Sequence, residues 1–127
     1  MHPRYADPMV PERRLCALDE IPDQGSKGFL PVEGDDQVFA VRRGANVVVY
    51  LNSCPHNRRP LEFMRDRFLA PAGDRIICHA HGAHFDIQTG HCFHGQCAGQ
   101  ALVPVPVLVE DGAVWISSTL PSIGAQS

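Results

Sequence analysis

Two short segments of the chain each place a cysteine close to a histidine. In "CPH", residues 54–56, one residue separates Cys54 from His56. In "CHAH", residues 78–81, two residues separate Cys78 from His81. Thiolate and imidazole groups are ligands for zinc and for iron–sulfur centres. If folding brings the two segments together, they offer two sulfurs and two nitrogens to one metal site.

Three interpretations of this pattern remain open from the residues alone. The segments could be ordinary loops that happen to contain cysteine and histidine. They could hold a structural zinc ion, although zinc fingers usually pair cysteine with cysteine and histidine with histidine. They could hold a two-iron, two-sulfide cluster in which two histidines replace two cysteines on one iron. The mixed composition of each segment favours the iron–sulfur cluster.

Composition limits the classes of protein and of partner. The chain has 127 residues, enough for about one domain, and 44% of them are hydrophobic. A net charge of −3 favours neither nucleic acid nor an anionic membrane surface as a partner. The N-terminal segment lacks the apolar stretch of a signal peptide, so we expect a cytoplasmic protein. Five cysteines in a reducing compartment indicate metal or redox chemistry rather than structural disulfides.

The elements that must position these residues are predicted to be β-strands. Short β-branched segments separated by turn residues predict strands over residues 14–17, 28–31, 37–42 and 47–51. Near the end, Asp111-Gly112 predicts a tight hairpin between strands at 105–110 and 113–117. Gly44 and Asn46 are expected to supply positive φ in the turn between the strands at 37–42 and 47–51.

The middle of the chain, residues 52–100, is richer in glycine, proline and histidine. Strands are predicted at 76–78 and 85–87, and residues 61–69 fit a short helix or a strand equally well. Strands at both ends of the chain therefore enclose a loop-rich middle, and functional groups are often found in such loops.

The two segments resemble the cluster-binding boxes of Rieske-type proteins, as "CPH" and "CHAHGAHFD". "DEIPDQGSKGF" and "GHCFHGQCAGQALVPVPVLVEDGAVWI" extend the resemblance to stand-alone Rieske ferredoxins over roughly residues 13–117. The resemblance implies an all-β fold of antiparallel sheets, or a β-sandwich, with an inserted loop-rich cluster-binding subdomain. It implies a single Rieske domain over residues 1–127, with an ordered core at 13–117 and the cluster-binding subdomain at 52–100.

The resemblance also implies one [2Fe–2S] cluster per chain and its ligands. Cys54 and Cys78 would hold the inner iron, and His56 and His81 would hold the outer iron. The implied function is that of an electron carrier rather than an enzyme. It would take single electrons from a flavoprotein reductase and pass them to a terminal acceptor, which we expect to be an oxygenase in a dioxygenase system. The alternative is a non-catalytic Rieske subunit fixed on a larger oxidoreductase, like the small subunit of some nitrite reductases.

Some positions differ from those of high-potential Rieske proteins. Arg59 and Ala80 stand where those proteins have two further cysteines, so no disulfide is expected between the cluster loops. Ala83 and Phe85 stand where they have a serine and a tyrosine that donate hydrogen bonds toward the cluster sulfurs. Because such hydrogen bonds favour the more negative, reduced state, their loss predicts a low reduction potential.

Other residues allow weaker predictions. Arg58, Arg59, Arg65 and Arg67 are either solvated loop residues or a basic rim that steers an acidic partner. Cys92 and Cys97 lie where the family has a third loop covering the cluster, and we expect them to be small, partly buried apolar residues. A Rieske oxygenase would need a further catalytic domain. The ten residues after position 117 are too few to form one. A mononuclear iron site from the remaining histidines and Asp86 is disfavoured.

Overall fold

The computed structural model describes residues 10–32, 35–55, 60–61, 64, 66–79 and 82–121. Within these residues, nine β-strands form three antiparallel sheets of three strands each, which confirms the all-β prediction. The strands are β1 (Pro11–Ala17), β2 (Ser26–Val32), β3 (Asp35–Arg43), β4 (Asn46–Leu51), β5 (Ile76–Cys78), β6 (Ala83–Phe85), β7 (Cys92–His94), β8 (Val107–Glu110) and β9 (Ala113–Ser117). A single 3-10 turn, Leu18–Glu20, follows β1. None of the helical segments in the described ranges has the length and apolarity needed to cross a membrane.

The three sheets have simple topologies. The first sheet has the order β1-β9-β8, the central sheet β2-β3-β4, and the third sheet β5-β6-β7. The β8–β9 hairpin turns at Asp111 and Gly112, which both have positive φ, as predicted. In the β3–β4 turn only the glycine prediction is correct: Gly44 has φ +61°, whereas Asn46 has already joined β4.

The central sheet is buried on both faces, each against a different core. Because side chains alternate along a strand, Val38 and Ala40 enter one core while Phe39 and Val41 enter the other. The base core, which Val38 and Ala40 join, lies between the central and first sheets and is mainly aliphatic. The cluster-side core, which Phe39 and Val41 join, includes residues of the third sheet and of the chain leading to it. Burial on both faces explains why β3 and β4 have almost continuous apolar sequences.

Strands β1 to β4 extend one to three residues beyond their predicted bounds, and two further strands differ in position. The third sheet's middle strand is Ala83–Phe85 rather than 85–87, because Asp86 begins a turn instead of continuing the strand. Its carboxylate accepts hydrogen bonds from the backbone N–H and the hydroxyl of Thr89, at 2.8 and 3.0 Å. The strand predicted at 105–110 begins only at Val107. The N–H of Val105 instead donates to the carbonyl of Val49 in the central sheet, at 2.8 Å.

The segment between β4 and β5 contains no helix in its described part. Leu69 forms an isolated antiparallel bridge with Ile76, and the N–H of Ile77 donates to the carbonyl of Phe68 at 3.0 Å. For residues 61–69 the sequence allowed a short helix or a strand. The structure shows strand-like pairing at the end of this segment. Strand β7, which pairs with β6, was not predicted.

Candidate metal centre

The first box begins at Cys54, which two residues separate from the end of β4, and one of these, Asn52, holds this loop. The side chain of Asn52 donates to the carbonyl of Asp36 at 3.1 Å, and its oxygen accepts from the N–H of Leu61 at 2.9 Å. Asn52 is buried, so both hydrogen bonds are shielded from water. One side chain thus connects the start of the first loop to its end, and Cys54 lies between the two points.

The second box begins at the end of a strand. Cys78 is the last residue of β5, and its carbonyl accepts a hydrogen bond from the N–H of Gly82 at 2.7 Å. Gly82 has φ +71°, a left-handed conformation that glycine adopts without steric cost. The chain therefore leaves β5 at Cys78, turns tightly and enters β6 one residue after Gly82.

A backbone hydrogen bond joins the two loops. The N–H of His79, the residue after Cys78, donates to the carbonyl of Leu61 at 2.9 Å. Leu61 is completely buried. This contact connects the two boxes in a protein whose cysteines form no disulfide; all five cysteines lie in the described part. Sequence reasoning missed this connection, because a backbone hydrogen bond between distant segments leaves no residue signature.

The structure brings the two predicted cysteine ligands into the same core. Cys54 and Cys78 are both completely inaccessible to solvent and both belong to the cluster-side core. The predicted histidine ligands, His56 and His81, lie outside the described residues. Arg58, Arg59, Arg65 and Ala80 lie outside them as well, whereas Arg67 is described and exposed.

The donor set and its surroundings fit an iron–sulfur cluster. Two buried thiols at the starts of two adjoining loops suit iron, which thiolates ligate in such clusters. Ala83 and Phe85 are buried in the same core, and neither carries a hydroxyl. The side chains at these two positions therefore provide no hydrogen bond to sulfur.

A third loop, residues 95–99, closes against the third sheet. A Cβ atom on Gly95 would lie 2.8 Å from the Cα of Ala83, so the loop backbone packs directly on β6. The loop contains Cys97, whose sulfur lies 2.8 Å from that of Cys92 in β7. Both cysteines are almost completely buried in the cluster-side core, whereas the sequence predicted only partial burial.

The exposed side of the third sheet carries a cluster of aromatic and basic side chains. His84 and His94 are cross-strand neighbours with ring centroids 4.8 Å apart, and Phe93 meets the His84 ring edge-on. Arg75 lies 3.3 Å from Nδ1 of His84. Burial, followed by the charges of Arg75 and His94, lowers the pKa of His84. In the part of the chain that is described, no three histidine, cysteine or acidic side chains converge on a mononuclear metal position.

An antiparallel all-β fold that buries a cysteine from each of two adjoining loops is compatible with a small iron–sulfur protein. Residues 12–111 match the Rieske [2Fe-2S] domain. The chain therefore belongs to the Rieske [2Fe-2S] family and carries the [2Fe–2S] cluster of that family, as the resemblance predicted. Among curated protein sequences no significant match was found.

Solved structures of similar fold include several ferredoxins. The Sphingomonas yanoikuyae B1 ferredoxin is 26% identical, with 84% of this chain and 97% of that chain covered and a TM-score of 0.63. The ferredoxin of carbazole 1,9a-dioxygenase from Nocardioides aromaticivorans IC177 is 24% identical, with coverages of 84% and 96% and a TM-score of 0.65. A chain from the complex of reduced oxygenase and oxidized ferredoxin in carbazole 1,9a-dioxygenase is 21% identical, with coverages of 86% and 94% and a TM-score of 0.65.

Proposed function

We propose that this protein is a Rieske-type ferredoxin that carries single electrons from a flavoprotein reductase to a terminal oxygenase. Its cluster ligands are Cys54, His56, Cys78 and His81. The observation that carries the proposal is the burial of Cys54 and Cys78 in one core, each at the start of a loop with a histidine two or three residues later. The cluster, when bound, supplies reversible one-electron chemistry.

The protein's own contribution is ligation and the exclusion of water. Cys54 and Cys78 bind as thiolates, so each loses its proton on loading. The surrounding side chains are apolar and aromatic, and the rings of Phe39 and Phe68 stack at 4.3 Å with planes 5° apart. This packing excludes water from the two cysteines. The connections at Asn52 and between Leu61 and His79 fix the separation of the two loops before an electron arrives.

A low reduction potential is part of the proposal. Ala83 and Phe85 provide no hydroxyl to the cluster sulfurs, and both side chains lie in the same core as the ligand cysteines. Without those donors, the extra electron is stabilised less. We expect a value toward the low end of the roughly −150 to +300 mV range of Rieske centres.

The partner assignment is supported by the relatives. The carbazole 1,9a-dioxygenase structure holds an oxygenase together with a ferredoxin, and a chain from it shares this fold over nearly its whole length. An oxygenase partner for the present chain follows by analogy. The reductase is inferred from the need for a one-electron source.

The first experiment tests the cluster and its ligands. Iron and acid-labile sulfide are measured on aerobically purified protein, and EPR spectra are recorded after reduction with dithionite. Two irons and two sulfides per chain, with the signal of a mixed cysteine and histidine cluster, are expected. His81→Ala and His56→Ala should each abolish the cluster, whereas His94→Ala, a matched control on the exposed side of β7, should retain it. Zinc without sulfide would overturn the proposal.

The second experiment tests electron transfer. The protein is added to a flavoprotein reductase with NADH, and the rate of cluster bleaching is followed before and after addition of a Rieske oxygenase. A free carrier is reduced, then reoxidised by the oxygenase, and elutes as a small protein in gel filtration. Constant co-elution with a larger oxidoreductase from the native host, without exchange, would instead indicate a fixed subunit.

A further inference from the structure

The segment that leads from the first box to β5 is tied to the edge of the central sheet. Strand β2 is an edge strand of that sheet, and the backbone N–H of Gly28 in β2 donates to the carboxylate of Asp66 at 2.8 Å. The second carboxylate oxygen of Asp66 lies 3.7 Å from the ammonium group of Lys27. The hydroxyl of Ser26 donates to the backbone carbonyl of Asp66 at 2.9 Å. These four residues form the β2 clamp.

Asp66 reaches this position through a backbone conformation that few residue types adopt. Its φ is +62°, in the left-handed region. The N–H of Arg67 donates to the carbonyl of Met64 at 3.0 Å, so Asp66 lies inside a tight turn. After glycine, asparagine and aspartate tolerate this conformation best, because their short polar side chains bond to nearby backbone groups. A non-glycine residue held in this region by specific contacts indicates a particular task at its position.

The β2 clamp acts on Phe68, two residues further along the chain. The N–H of Phe68 donates to the hydroxyl oxygen of Ser26 at 3.4 Å. The ring of Phe68 is completely buried and stacks on Phe39 at 4.3 Å. The carbonyl of Phe68 accepts a hydrogen bond from the N–H of Ile77, the residue before Cys78, at 3.0 Å. The clamp therefore holds a residue that connects the edge of the central sheet to the strand carrying Cys78.

We infer that Asp66 is a positioning residue which, through the β2 clamp, keeps Phe68 in place and thereby closes the cluster-side core against water and solutes. Asp66 does not bind the cluster. Opening of the clamp is the local motion that gives solvent access to this core and limits the rate at which a bound cluster is lost. The statement about cluster loss rests on the ligation by Cys54 and Cys78 proposed above, whereas the closure of the core does not depend on it.

The clamp is the part of this closure that opens most readily. The side chains of Lys27 and Asp66 are 33% and 32% exposed, so water competes for their ion pair. The hydrogen bond from the Gly28 N–H to the carboxylate is charge-assisted and is the stronger contact of Asp66. The ring of Phe68, by contrast, is held by burial and stacking. Local openings of a few side-chain contacts expose protected backbone groups without global unfolding.

The test compares variants of the full-length protein, as purified, by hydrogen exchange and by the release of iron to a chelator without denaturant. Asp66→Ala removes the carboxylate. The peptide that contains Phe68 should exchange faster and iron should be released faster, each by about tenfold or more, the change expected from losing a hydrogen bond to a charged group. Strand β9, which contributes Val114 and Ile116 to the base core, should exchange at the wild-type rate.

Three further variants separate the carboxylate of Asp66 from its backbone conformation. Asp66→Gly removes the carboxylate but adopts positive φ freely, so it should open the core as Asp66→Ala does. Asp66→Asn keeps an acceptor oxygen and tolerates positive φ, so both of its rates should stay close to those of the wild type. Asp74→Ala is the matched control: Asp74 is an exposed carboxylate that pairs with Arg75 at 3.0 Å, and its removal should leave both rates unchanged.

Exchange and iron release at wild-type rates in Asp66→Gly would overturn the inference, because the core would then close without the carboxylate. An equal acceleration of exchange in β9 would overturn it as well, because the whole protein would be opening. If Asp66→Ala does not fold, Ser26→Ala, which removes the bonds of the hydroxyl to Asp66 and Phe68, takes its place with the same expectation. A wild-type protein without iron and sulfide would contradict the proposed ligation, while hydrogen exchange would still decide the role of Asp66.

Discussion

The two cores on either side of the central sheet differ in what holds them together. The base core is built from aliphatic side chains on strands of four to nine residues, joined by short turns. The cluster-side core contains four cysteines and four aromatic rings, and the strands of its own sheet have only three residues each. Regular hydrogen-bonded pairing and apolar burial stabilise the base core. The three-residue strands beside the cluster-side core offer fewer ladder hydrogen bonds, and the proposed ligation of the cluster by Cys54 and Cys78 would add to its stability.

The difference between the cores indicates that one small domain places the residues for overall stability and the residues for cluster binding on opposite faces of one sheet. The central sheet contributes side chains to both cores, but each side chain enters only one of them. Val49 faces the base core and Tyr50, its neighbour, faces the cluster-side core. Changes in the base core should therefore alter stability without altering the cluster. Changes in the other core should alter both.

The largest expected effect comes from removing a proposed thiolate ligand. Cys78→Ala takes away one of the two cysteines proposed to bind the inner iron, so iron and sulfide content should fall to background. Far-UV circular dichroism should still show β-structure from the first and central sheets, because the base core does not contain Cys78. Cys16→Ala, the control in the base core, should keep its iron. Equal loss of iron from both variants would remove the distinction between the cores.

A matched pair of large-to-small substitutions should separate the cores next. Phe68→Ala and Ile116→Ala each empty a fully buried position, and we expect each to lower the free energy of unfolding, by about 3–5 and about 2–5 kcal/mol. Phe68 stacks on Phe39 in the cluster-side core, so its loss should also accelerate release of iron to a chelator. Ile116→Ala should release iron at the wild-type rate in the absence of denaturant. Urea titrations and chelator kinetics measure the two effects.

A smaller effect is expected where the central sheet contacts the third-sheet region. The hydroxyl of Tyr50 donates to the carbonyl of Ile87 at 2.7 Å in a buried position. Tyr50→Phe leaves that carbonyl without this donor, and we expect a loss of about 1–3 kcal/mol in unfolding free energy. Hydrogen exchange should increase at the turn after β6. Val49→Ala, on the opposite face of β4, should destabilise the protein without that local increase.

The smallest effect is the pH dependence of stability that arises from one hydrogen bond at the turn between β3 and β4. The carboxylate of Asp23 accepts a hydrogen bond from the N–H of Gly44 at 2.7 Å, and this bond is the main cause that lowers the pKa of Asp23. A lowered pKa in the folded state contributes stability that is present above the unfolded pKa of about 3.9 and lost as pH falls through the folded pKa. Asp23→Asn should therefore be slightly less stable than the wild type near neutral pH. The difference should shrink on acidification, as urea midpoints at several pH values would show, while the cluster content stays equal.

Several features were predictable from the sequence because they depend on local chemistry. Strand positions follow from β-branched residues, and the hairpin at Asp111 and Gly112 follows from two residues that accept positive φ. The two boxes follow from the mixed cysteine and histidine spacing. Predictions failed where a side chain redirected the backbone: Asp86 starts a turn where the apolar pattern would have continued a strand. The division into a base and a cluster-binding subdomain at 52–100, and all four cluster ligands, stay predictions.

The amino-acid sequence alone indicated a β protein and predicted a metal site on two loops, because hydrophobic periodicity and ligand spacing are properties of neighbouring residues. Only the tertiary structure decided which core each face of β3 and β4 enters, since a continuous apolar run does not distinguish its two sides. Only the tertiary structure joined Leu61 to His79 and placed Cys97 in the same core as Cys54, 43 positions away along the chain. Contacts of that kind depend on how loops close on one another, and no local pattern records them.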